Sequence, residues 1–130
     1  MKLVSAVALA LAFPASAGAA LEVKLAVVPD SPKKGASTVV QLRPYWTYNR
    51  PDGSCCVLKP AAVSYPFKVQ AVSPAGRVMR VVVRRTKNRY LWAGRFVFRT
   101  PGRWTLRAPQ WGPRYSRNFG ARPLIRITVG

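Results

Sequence analysis

The sequence predicts an all-β protein: an antiparallel β-sandwich of about seven short strands, preceded by a signal-peptide helix. Three observations carry that expectation. From Val23 to Val129 apolar residues recur at every second position rather than at helical spacing. Twelve prolines and nine glycines punctuate the chain, and proline inside a helix removes a hydrogen bond and clashes with the preceding turn. One long apolar run, residues 3–13, sits at the N-terminus directly behind a single cation, Lys2.

That first segment reads as an address. After the apolar run come a break at Pro14 and the small-residue triplets Ala15-Ser16-Ala17 and Ala17-Gly18-Ala19, the pattern of a secretory signal cut between positions 17 and 20. A run of eleven residues falls short of the roughly 20 that cross a bilayer as a helix. The expected organisation is a signal peptide over 1–19 and one domain over 20–130. A length of about 110 residues is ample for one independently folding unit. The mature chain has no second apolar stretch long enough to be a transmembrane segment, so the expected location is extracytoplasmic: periplasmic, cell-surface or secreted.

The strands follow in order. Val23, Leu25 and Val27 alternate with Glu22, Lys24 and Ala26 until Pro29-Asp30-Ser31-Pro32 stops the run. Thr38, Val40 and Leu42 alternate with Val39, Gln41 and Arg43; the stretch 44–64, rich in turn residues, reads as a long connection. Phe67, Val69 and Ala71 alternate with Lys68, Gln70 and Val72 before a turn at Ser73-Pro74-Ala75-Gly76. Met79, Val81 and Val83 alternate with Arg80, Val82 and Arg84; Phe96 and Phe98 alternate with Arg95, Val97 and Arg99. Trp104 and Leu106 alternate with Arg103, Thr105 and Arg107; Ile125, Ile127 and Val129 alternate with Leu124, Arg126 and Thr128. Seven half-buried strands bury their apolar sides most simply as two packed sheets.

Parity at Pro101-Gly102 sharpens the topology. A two-residue hairpin there would set Phe98 opposite Thr105 and Arg99 opposite Trp104, although cross-strand partners share one face of a sheet. The mismatch disappears if the chain crosses between sheets at this point, as the fifth-to-sixth strand connection does in the immunoglobulin order. Phe96 and Phe98 then meet Trp104 and Leu106 across the core. Residues 94–106, Gly-Arg-Phe-Val-Phe-Arg-Thr-Pro-Gly-Arg-Trp-Thr-Leu, resemble the strand–PG-x-W–strand signature of small bacterial extracytoplasmic immunoglobulin-like domains, the YtkA-like and FixH-like group. The resemblance implies the immunoglobulin-like fold and the location. Copper carriers of CopC type, among its relatives, bind through His and Met; with no His in the chain and Met79 alone in the mature part, no metal role carries over.

Charge narrows the function. Lys and Arg number 22 against three acids, a net charge of +19, and His is absent. Paired carboxylates for glycoside hydrolysis, an imidazole base and a His/Cys zinc site are all missing, and no phosphate-cradling glycine loop is present. The expectation is a protein that is not an enzyme and takes no cofactor or metal. So large an excess of one sign exceeds what solubility asks for and destabilises the compact state by self-repulsion. Partners of opposite sign are therefore expected: an anionic polymer, an anionic lipid surface, nucleic acid or an acidic protein surface.

Three sets of residues are candidates. With the strands assigned in immunoglobulin order, Arg43, Arg80, Arg84, Arg95 and Arg99 fall with Lys24 on the outer face of one sheet, an anion-binding face whose close like charges would welcome a counter-ion. A solvated coat that guards a sheet edge against pairing with other chains is the competing reading. At the loop end Trp46, Trp111, Arg114, Tyr115 and Arg117 interleave rings with guanidinium groups, a composition suited to stacking and anion chelation; rings capping the sandwich are the alternative. The loops hold no more than their proportional share of cations, so charge is not focused there. Cys55 and Cys56 are the redox candidates. Adjacent Cα atoms across a trans peptide lie about 3.8 Å apart, below the usual disulfide range of roughly 4.4–6.8 Å. That leaves a strained vicinal bridge, a disulfide-linked dimer, soft-metal capture or two incidental thiols.

Overall fold

The computed structural model describes residues 20–64, 66–110 and 123–130. The expected signal peptide lies outside them, as do Trp111, Arg114, Tyr115 and Arg117. Among the described residues the chain is all-β, two antiparallel sheets with no helix.

Alternation decides which side of each strand is inside. β1 (Ala20–Val28) buries Leu21, Val23, Leu25 and Val27 and turns Glu22, Lys24 and Ala26 to solvent. It pairs throughout with β2 (Ser37–Asn49), which buries Thr38, Val40 and Leu42. Here the structure corrects the expected loop 44–64: β2 runs on to Asn49, and β3 (Cys55–Pro60) returns along it as a hairpin. Pro44 was the misleading residue, because proline interrupts the ladder of a central strand. It is tolerated at the place where β2 exchanges one neighbour for another: Leu42 still pairs with β7 (Trp92–Val97), and Tyr45 already pairs with β3. The run Tyr45-Trp46-Thr47-Tyr48 is rich in strand-favouring residues and carried the contrary signal. Gly53, at φ +89°, turns the hairpin, and Ser54 donates to Asp52 Oδ1 from its amide at 2.9 Å and from its hydroxyl at 2.6 Å.

The first sheet runs β1-β2-β7-β6, with β3 added to β2 beyond the end of β7; β6 is the short strand Arg84–Arg85. The second runs β5-β4-β8-β9: Val78–Val81, Lys68–Val72, Gly102–Gln110 and Leu124–Val129. The strand expected over 79–84 is therefore divided. β5 pairs with β4, the chain crosses at Val82-Val83, and β6 pairs with β7. Gly94 of β7 permits the crossing, since the backbone carbonyl of Val82 occupies the place where a Cβ would stand. In consequence Arg80 belongs to the second sheet, not to the face shared by Arg43, Arg84 and Arg95.

The crossing expected at Pro101-Gly102 is present: β7 ends in one sheet and β8 begins in the other. Gly102 sits at φ +121°, with the Pro74 ring 2.9 Å from where a Cβ would lie. Trp104 packs edge-on against Phe98 at 5.0 Å and Phe96 at 6.1 Å between ring centres, and its indole N–H donates to the Thr100 carbonyl at 2.9 Å. Phe67 and Trp92 make a further edge-on ring contact at 4.9 Å. Burying each large apolar side chain is worth about 1.5–3 kcal/mol, so these rings help tie the two layers together. At one end the β1–β2 turn is fastened to the rest of the fold: Lys34 donates to the Gly130 carbonyl at 2.8 Å and Gly35 to the Phe98 carbonyl at 2.9 Å.

Candidate anion-binding faces

Inward alternation leaves the other half of every strand facing water, and there the composition is cationic. The chain's three acids are Glu22, Asp30 and Asp52. Glu22 pairs with its own strand neighbour, Lys24 Nζ to Glu22 Oε2 at 4.0 Å, the one ion pair among the described residues. The Ser54 hydroxyl and amide hold the exposed Asp52 carboxyl below its ordinary value. No described guanidinium is paired with a carboxylate.

On the outer face of the first sheet Lys24 stands directly opposite Arg43, a like-charge pair. Lys24 is also 5.9 Å from the centre of the Tyr45 ring, so ring and Glu22 both lie beside it. Arg95 faces Val39 and reaches the Ser37 hydroxyl at 3.4 Å. Arg84 is opposite Ala93, and Arg99 is exposed just past the end of β7. These cations are spread over four strands and beyond, with valines and alanines between them.

The outer face of the second sheet carries Lys68 on β4, Arg80 on β5, Arg103 and Arg107 on β8 and Arg126 on β9. No acid stands on it. Arg126 is opposite Thr105, which places it diagonally between Arg103 and Arg107. Arg107 is opposite Gln70, and Gln70 is opposite Arg80 on its other side. With strands about 4.8 Å apart and alternate residues about 6.8 Å apart along a strand, neighbouring cations stand about 8 Å apart. Arg107 Nε donates to Gln70 Oε1 at 2.8 Å; that bond engages Nε, orients the half-buried guanidinium and leaves its charge uncancelled. A guanidinium presented this way can grip a phosphate or carboxylate with two parallel hydrogen bonds.

Alternation in the sequence turns Lys68, Arg103, Arg107 and Arg126 outward but does not gather them into a site. The signal was the period that grouped Arg95 with Arg99: Arg103-Thr105-Arg107 repeats it on the next strand, and only the pairing with Arg126 and Gln70 shows the cluster.

Trp46 is a strand residue rather than a loop ring. It lies on β2 opposite Leu21 and packs against the core. Tyr48 is on the same strand, with Lys59 Nζ 5.8 Å from its ring centre. Cys55 and Cys56 open β3, with Cys55 opposite Asn49. They flank a cis peptide with Cα atoms 3.0 Å apart and their sulfurs face each other, the arrangement of the vicinal pair among the alternatives; nothing in it supports a bridge to a second chain. No group of three or more His, Cys, Asp or Glu side chains converges among the described residues, and no helix long and apolar enough to cross a membrane is present among them. Comparison with protein-family models, curated proteins and solved structures gives no match.

Proposed function

We propose that the chain is an exported, non-enzymatic binding module: a strongly basic sandwich, immunoglobulin-like in strand order, that adheres to an anionic partner outside the cytoplasm. Export rests on the leader-like residues 1–19, and the strand order on the sheet assignments together with the Gly94–Leu106 resemblance. The observation that carries the function is that the outward sides of both sheets bear Arg and Lys almost without acids, the single strand acid being Glu22. Holding so many like charges together costs stability, and an anionic surface removes that cost on contact.

Retention on an immobilised polyanion such as heparin tests the reading. Neutralising about six phosphates or sulfates gives a log–log dependence of affinity on salt with a slope of about −5. Failure to bind at low salt, or binding indifferent to salt, sinks it.

A further inference from the structure

We infer that the outer face of the β5-β4-β8-β9 sheet is a membrane-docking surface that lies flat on anionic phospholipid headgroups. The inference rests on the reading above and names the face and the partner. Five cations, Lys68, Arg80, Arg103, Arg107 and Arg126, spread over all four strands of one sheet with no acid among them. Basic side chains next to an anionic leaflet each add to binding, and an array two-dimensional in extent meets a layer of headgroups better than a single threaded strand. The Gln70–Arg107 bond of 2.8 Å holds the half-buried guanidinium ready for a phosphate.

Two further features choose lipid over nucleic acid. Single-stranded nucleic acids are held by stacking bases on rings, and among the described residues no aromatic side chain stands on this face. Instead its two edge strands expose aliphatic groups, Val78 on β5 at 49% and Leu124 on β9 at 47%. Cations flanked by exposed aliphatic side chains are the pattern of a surface seated at the headgroup–acyl boundary.

The test is sedimentation with vesicles made of equal parts phosphatidylglycerol and phosphatidylcholine, against vesicles of phosphatidylcholine alone. Two variants remove the same charge from different faces: Arg103→Gln/Arg107→Gln/Arg126→Gln, and Arg43→Gln/Arg84→Gln/Arg95→Gln. The first is expected to lose about a hundredfold in partition onto the anionic vesicles, the second tenfold or less. Val78→Ser/Leu124→Ser should weaken vesicle binding several-fold and leave heparin retention unchanged. The exposed pair Arg103→Gln/Arg126→Gln, whose melting is compared with the parent, keeps the test valid if the triple variant fails to fold. Equal losses from the two faces, or tight binding to single-stranded RNA without anionic-vesicle binding, overturns this inference. An absence of binding to vesicles and heparin alike would instead overturn the broader function.

Discussion

The two sheets bury their inner sides in one core and present different outer sides. On the first, Lys24 has Glu22 and the Tyr45 ring beside it, and Arg95 reaches Ser37. On the second, the only side-chain partner of a cation among the described residues is neutral, Gln70, and it orients Arg107 without cancelling its charge. A sheet face needs cations for solubility, and scattered ones suffice. Gathering Arg103, Arg107 and Arg126 around Thr105, where any acid would have been stabilising, is what separates a presented surface from a coat.

The comparison fails altogether if the shared interior fails, so the largest effects lie there. Trp104→Ala should cost about 3–5 kcal/mol in denaturant or thermal unfolding, because the indole packs edge-on against both Phe96 and Phe98 and is 1% exposed. Gly94→Ala should cost about 1–3 kcal/mol or more, since the Val82 carbonyl stands where the new methyl must go. Both losses should strike the two faces together, seen as loss of the native near-ultraviolet spectrum; a melting temperature unchanged in either variant contradicts the packing described here.

A smaller effect separates the faces. Thr105→Glu places a carboxylate opposite Arg126 and between Arg103 and Arg107. An opposite-charge pair across strands is worth about 0.2–1 kcal/mol, so this variant should melt higher and yet bind anionic vesicles more weakly. A gain in stability accompanied by unchanged binding would reduce these arginines to a solvated coat. Gln41→Glu, between Ala26 and Ala93 on the other sheet, should leave vesicle binding within a few-fold of the parent.

The smallest effect is that of acid. Asp52 is held below its ordinary value, so its contribution is present above the ordinary carboxyl range and is lost only as pH falls through the lowered value. That carboxyl is exposed and serves one hairpin turn. Unfolding followed from pH 7 to about pH 4 should therefore change little, and guanidinium groups keep their charge throughout this window. Steep acid destabilisation over this range contradicts so small a role for the carboxyl.

Much of the fold was legible in the sequence. Period-two patterning marked the core strands outside 44–64, and the parity conflict between Phe98 and Trp104 at Pro101-Gly102 located a crossing between layers. Two features were not. Pro44 read as a breaker because its tolerance depends on the exchange of β7 for β3 beside β2, a tertiary circumstance. The strand over 79–84 read as one piece because alternation continues through Val82 although its partner changes, and that error moved Arg80 to the wrong sheet. The cluster on the second face was half legible: periodicity turned Arg103, Arg107 and Arg126 outward, whereas their convergence depends on register, which no single strand reveals.

The most direct measurement follows the arginine side-chain Nε–H resonances while vesicles of equal parts phosphatidylglycerol and phosphatidylcholine are added. Arg103, Arg107 and Arg126 should shift or broaden first, with Arg43, Arg84 and Arg95 nearly unmoved. Uniform perturbation of all six, or perturbation confined to Arg43, Arg84 and Arg95, would contradict the account.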